Sequence, residues 1–233
     1  MTIRILPNAA RGRANHGWLQ SSHSFSFADF YDPRLMGYRS LRVINEDRIE
    51  AGAGFPTHGH RDMEIVTYIV SGAIEHKDST GGHSVINRGE VQRMTAGTGV
   101  RHSEFNASPT DPVRLLQIWL LPDKDGLEPG YEQKLFADAD KRNRLRLLVD
   151  PQGREGALTI HQDARVYASL LDAGAGVEHA IGAGRGAWIQ VIDGALSVDD
   201  QAIAAGDGAA IEDTDKLRIV ASKPTEFILF DLA

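Results

Sequence analysis

Apolar and polar positions alternate with a period of two over short stretches of this chain, and turn residues separate those stretches. Near the N-terminus, Ile3-Arg4-Ile5-Leu6 alternates in this way, as expected of a strand whose successive side chains point to opposite faces. Arg39 to Asn45 and Asp47 to Glu50 predict a hairpin. Thr67-Tyr68-Ile69-Val70-Ser71-Gly72-Ala73-Ile74 reads as an apolar strand, a glycine turn and a return strand. Leu115 to Leu121 is almost continuously apolar, which predicts a central strand with both faces covered. No stretch carries a long 3.6-residue period. The 24 glycines and nine prolines are spread along the chain, which suits many short strands joined by tight turns. The pattern predicts an all-β fold.

Composition narrows the picture without changing it. The chain has 233 residues, 42% hydrophobic and 24% charged, which allows one large β domain or two small ones. A formal net charge of −7 gives no long-range attraction for nucleic acid. There are no cysteines, so disulfides and thiolate ligands are excluded, and any metal must be held by His and carboxylate. Met1 to Arg13 alternates apolar and basic residues instead of forming a secretory apolar run. Nowhere do about 18 apolar residues run together, so no membrane helix is expected and the cytoplasm is the expected compartment.

The candidate chemistry lies between Gly52 and Asn106. His58 and His60 are spaced i, i+2, as are His102 and Glu104, so on strands each pair shares a face. If the two segments pair, three imidazoles and one carboxylate converge, which makes a metal site. Glu64 has the strand parity of His58 and His60. His76 lies on the return strand, from which it could reach the pocket mouth, with a surface hydrogen bond as the first expectation. His16, Trp18 and His23 sit among Phe25, Phe27, Phe30 and Tyr31, rings expected to seal one end of a barrel.

These residues resemble those of a known family. Gly52, His58, His60 and Glu64 are similar to the first cupin motif, and Gly99, His102 and Asn106 to the second. Within the cupins, His58-Gly59-His60-Arg61, His76-Lys77-Asp78-Ser79 and the long run Gln92 to Glu104 resemble the pirin subfamily, as does Ser24 to Pro33. The resemblance implies a bicupin, two antiparallel β-barrels of jelly-roll type packed together. It implies one divalent metal per chain, held by His58, His60, His102 and Glu104. Fe(II) is the first expectation, and Mn, Co, Ni, Cu or Zn would also suit the donors. Glu64 becomes an orienting residue or an alternative ligand. Two functions follow from the resemblance. One is a quercetin 2,3-dioxygenase-type enzyme that opens a flavonol-like aromatic ring with O2, with Glu104 as catalytic base and Phe55 and Met63 as candidate walls. The other is a non-enzymatic metal sensor or protein-interaction module, with a protein partner. A monomer with no nucleic acid or membrane partner is expected in either case.

The strand pattern also recurs. Val191-Ile192-Asp193-Gly194-Ala195-Leu196 echoes Ile69 to Ile74, and Gly206-Asp207 echoes Gly89-Glu90. The first offset carries His58, His60 and Glu64 onto Ala180, Gly182 and Gly186, and the second carries His102 and Glu104 onto Ile219 and Ala221. None of these can bind a metal, and His179 falls one residue out of register. The expected organisation is a metal-bearing barrel over 1–121, a linker over 122–146 with a short helix, and a second barrel without ligands over 147–233.

Overall fold

Two glycine turns show how the repeated pattern becomes structure. Gly72 and Gly194 have φ of +78° and +84°, a left-handed conformation that glycine adopts without steric cost. A Cβ on Gly72 would lie 3.0 Å from the Val113 Cα, and one on Gly194 would lie 2.1 Å from the Pro224 carbonyl oxygen. Backbone leaves no room for a side chain at Gly194 and crowds one at Gly72. The second echo holds as well, since Gly89 and Gly206 have φ of +86° and +83°. The computed structural model describes residues 1–233. Its only α-helix is the four-residue Asp138–Lys141, within the segment expected to hold one. No helix is long and apolar enough to cross a membrane.

The chain divides into two compact units. One comprises residues 12–135 and 158–162, and the other residues 1–11, 136–157 and 163–233. In the first unit the larger sheet runs Gly130–Leu135, Glu90–Thr95, Glu64–Ser71, Val113–Leu120, Leu41–Ile49, Leu19–His23, Gly12–Asn15. The smaller runs Gly54–His60, Val100–Asn106, Ala73–Asp78, His83–Asn87. All pairings are antiparallel. In the second unit Thr2–Leu6, Gly208–Glu212, Gly186–Asp193, Thr225–Leu232, Ala164–Leu171 and Arg146–Asp150 lie side by side in the same sense. Its smaller sheet is Gly176–Ala180, Lys216–Ala221, Ala195–Val198, Gln201–Ala204. Each unit is a pair of sheets in jelly-roll fashion, and the fold is all-β as expected.

Three details differ from the sequence reading. The segment 39–50 is not a hairpin but one continuous strand, Leu41–Ile49, because Asn45, Glu46 and Asp47 are paired to strands on both sides instead of turning. The N-terminal strand pairs with Gly208–Glu212 in the second unit. Its place at the edge of the first unit's sheet is taken by Gly130–Leu135, from the segment read as linker. The divisions at 121 and 147 therefore do not coincide with the units.

Hydrophobic burial holds each pair of sheets together. In the second unit Ala187, Ile189, Phe227 and Leu229 of the larger sheet meet Leu196, Val198, Leu217 and Ile219 of the smaller. In the first unit Ile49, Ile69, Val113 and Leu115 meet Ile74 and Ile86. Each fully buried side chain of this size contributes roughly 1.5–3 kcal/mol.

Candidate metal centre

The strand pairing expected between the two motifs is present. Gly54–His60 and Val100–Asn106 run antiparallel with His102 opposite His58, and the register shifts between His102 and Glu104. The ring centroids of His58 and His102 are 4.4 Å apart, and His60 lies 4.9 Å from each. One ring nitrogen from each of the three lies within 4.8 Å of the others, close enough to hold a metal ion.

The hydrogen bonding of these rings fits a ligand role. The Nδ1 of His58 sits 2.8 Å from the Pro56 carbonyl oxygen. A carbonyl only accepts, so Nδ1 carries the proton and Nε2 keeps its lone pair. His102 is 1% exposed, and neither ring nitrogen has a hydrogen-bond partner. An unpaired buried polar atom costs about 1–3 kcal/mol, so a packed core histidine would not be built this way. Burial, followed by the neighbouring His58, pushes the His102 imidazole down to about 3 and that of His60 to about 4. Both are neutral at physiological pH, as metal donors must be.

Glu104 is buried at 3% exposure. The Gln117 side-chain amide donates to both its oxygens, at 2.8 and 2.9 Å. Gln117 in turn accepts from the Thr67 hydroxyl at 3.3 Å, and Thr67 accepts from Gln92 at 3.5 Å. Burial pushes the Glu104 carboxyl up to about 7 against the pull of Gln117, with the charge of Asp47 adding to the rise. Its oxygens lie within 4.8 Å of nitrogens on His102 and His76, not in the group formed with His58 and His60.

Glu64 and His76 stand elsewhere than their spacing suggested. The strand of His58 ends at His60, and Asp62 turns with φ of +48° before the next strand begins at Glu64. That break resets the alternation on which the parity of Glu64 relied. Glu64 is fully buried and is met by the Thr95 hydroxyl at 3.1 Å and the His161 ring at 3.3 Å. His76, expected at the surface, is 0% exposed and bonds through Nε2 to Asp78 at 3.0 Å. The signal for it was its place on the strand that flanks Glu104, since the ladder sets His76 directly opposite that carboxylate.

The histidines form part of the wall of a cavity of about 560 Å³. Trp18, Phe27, Phe55, Ile65 and Trp119 supply its apolar lining. Trp119 packs edge-on against both His60 and Phe27, at 4.9 and 5.4 Å. The aromatic N-terminal segment thus lines the chamber through His16, Trp18, His23 and Phe27. Phe55 is a wall as expected, whereas Met63 packs against Ile65 and Met94. Polar side chains also line it, among them His23, whose Nδ1 meets the Asn45 side-chain oxygen Oδ1 at 2.7 Å, and Asp47, which accepts from the Ser21 hydroxyl. Asn45, Asp47, Gln117 and Trp119 went unread in the sequence. Gln117 alone carried a signal, as a lone amide inside an otherwise apolar run.

Known proteins match over the whole chain. A family model described as Pirin matches residues 7–120, and one described as Quercetinase C-terminal cupin domain matches residues 147–232. The quercetin 2,3-dioxygenase of Escherichia coli K12 is 47% identical over 95% of each chain. A pirin-like protein of Caulobacter vibrioides is 40% identical over 95% of this chain and 96% of its own. Among solved structures, the bacterial pirin YhhW of Escherichia coli in complex with nickel(II) superposes with a TM-score of 0.94 at 45% identity, covering 99% of both chains.

Proposed function

The chain belongs to the pirin family, and from that premise we propose that it is a metal-dependent dioxygenase acting on a planar hydroxylated aromatic of the flavonol class. The observation that carries the proposal is the chamber itself. A cavity of this volume suits a ligand of drug size, and its aromatic walls suit flat rings. His58, His60, His102 and Glu104 all line it, and the three imidazoles lie close enough together to share an ion. Relatives named as quercetin 2,3-dioxygenases support the substrate class.

His58, His60 and His102 would hold the ion, with Glu104 as the fourth donor. Nitrogen and oxygen donors of this kind suit Fe(II), and equally Ni(II), Co(II), Mn(II) or Zn(II). When bound, the metal would supply a Lewis acid that lowers the pKa of a substrate hydroxyl. The chain's own residues do the rest. Trp119, Phe55 and Phe27 would supply the apolar wall against which the rings lie. Glu104, beside the ion, would take the hydroxyl proton as a positioned base. Gln117 holds both carboxylate oxygens in place for that transfer.

Oxygen uptake tests this reading. Protein stripped of metal and reloaded separately with Fe, Mn, Co, Ni, Cu and Zn should consume O2 saturably with quercetin for at least one ion. Zero uptake with every ion would overturn the enzyme and leave a metal-dependent binding module.

A further inference from the structure

His76 is not needed by the site described so far, yet it is built like a ligand. Its Nε2 is tied to Asp78 Oδ2 at 3.0 Å. Asp78 is itself fixed by the Thr80 hydroxyl and by the backbone amides of Thr80 and Gly82, at 2.5, 2.8 and 3.1 Å. A Cβ on Gly82 would fall 2.3 Å from that carboxylate oxygen, so glycine lets the loop close over it. A carboxylate behind an imidazole is the arrangement that orients metal-bound histidines and fixes their tautomer. Here it places the proton on Nε2 and the lone pair on Nδ1.

That Nδ1 is buried and has no hydrogen-bond partner. His76 belongs to a group in which one donor atom each from His76, His102 and Glu104 lies within 4.8 Å of the others, all three residues buried. Tyr131 covers the ring, with centroids 5.0 Å apart. A core histidine held only for packing would not leave the second nitrogen unsatisfied beside an equally unsatisfied His102.

We infer that His76, His102 and Glu104 form an inner metal position that overlaps the outer one made by His58, His60 and His102. Two imidazoles and a carboxylate suit the same divalent ions as the outer set. His102 belongs to both sets, so the two positions are alternatives for a single ion. The outer position faces the chamber with all three of its residues, whereas the inner one shares His102 and Glu104 with the chamber wall and has His76 behind it. This inference rests on the metal reading above.

Cobalt(II) binding to the full-length chain tests it. The unmodified protein should bind one ion. The His58→Ala/His60→Ala variant should still bind one Co(II), weakened by roughly a hundredfold, with a changed visible spectrum. Adding His76→Gln to that variant should remove stoichiometric binding, whereas His76→Gln alone should weaken binding by no more than about tenfold. Crystals of the double variant loaded with Ni(II) give an independent reading, an anomalous peak bounded by His76, His102 and Glu104. A double variant that binds no ion, or binds it equally without His76, overturns the inner position. An unmodified chain that binds no ion overturns the metal reading itself.

Discussion

Counted from the turns at Gly72 and Gly194, the interiors of the two units can be matched rung by rung. In the first unit Thr67 stands between Gln117 and Gln92. At the same rungs of the second, Ile189 stands between Leu229 and Ala209. In the smaller sheets, His76 opposite Glu104 is matched by Val198 opposite Ile219. His102 opposite His58 is matched by Leu217 opposite His179. The replacements Ile189, Leu229, Ala209, Val198, Ile219 and Leu217 all belong to one apolar core. The same pair of sheets thus accepts a dry filling or a polar one. The first unit gives up hydrophobic stabilisation for a set of converging donors, as functional sites generally do.

The largest expected effects come from exchanging fillings at one rung. Leu217→His would place an imidazole without partners in the dry core, and should destabilise the protein by about 3 kcal/mol or more in urea titration. His102→Leu removes two unpaired nitrogens from the other interior. Without metal it should be neutral or stabilising by about 1–3 kcal/mol, while binding of Ni(II) is lost. Equal destabilisation by both would show that the two interiors do not differ in kind.

A smaller effect sharpens the contrast. Gln117→Leu copies the second unit's Leu229 and leaves Glu104 without the amide that holds both its oxygens. Loss of such an outer support should weaken metal binding roughly 10–100-fold, as read by competition with a chromogenic chelator. Leu229→Gln in the second unit should leave metal affinity unchanged. An unchanged affinity in Gln117→Leu would make that residue a filler only.

Much of this contrast was legible in the sequence, and the reason lies in local spacing. His58, His60 and His102 could be grouped because strand alternation is a short-range rule that survives from sequence to fold. The shared parity of Glu64 with His58 and His60 fails because the rule stops at a chain reversal, and Asp62 supplies one. His179 was placed out of register by carrying a constant offset along the chain. The ladder sets it opposite Leu217, at the rung that His58 shares with His102. Turns of different length between the glycine and the strand break any constant offset. His76 and the exchanged edge strands, Thr2–Leu6 and Gly130–Leu135, depend on pairing between distant segments, which no local pattern encodes.

One rung of the second unit is polar where the first is not, and it gives the smallest effect. Asp231 stands opposite Ala187 as Trp119 stands opposite Ile65. It is buried, with His179 Nε2 at 3.0 Å and the Arg185 guanidinium on its other oxygen. His179 faces Leu217 across the ladder where His58 faces His102, so it has no second imidazole beside it and is no counterpart of a metal-binding His58. Burial alone would push the Asp231 carboxyl up, but the hydrogen bonds from His179 and Arg185 and the charge of Arg185 bring it below its ordinary 3.8. A group with a depressed folded pKa binds protons less readily when folded, so its contribution is complete above 3.8 and fades as pH falls through the folded value. Asp231→Asn lacks that contribution at every pH. The stability gap between the unmodified chain and Asp231→Asn should therefore be level near neutrality and narrow as the pH drops below about 3.8, in urea titrations run at each pH. A gap that widens toward acid would mean the carboxylate is strained by burial instead of held by its partners, and this polar rung would then be a defect in the second unit.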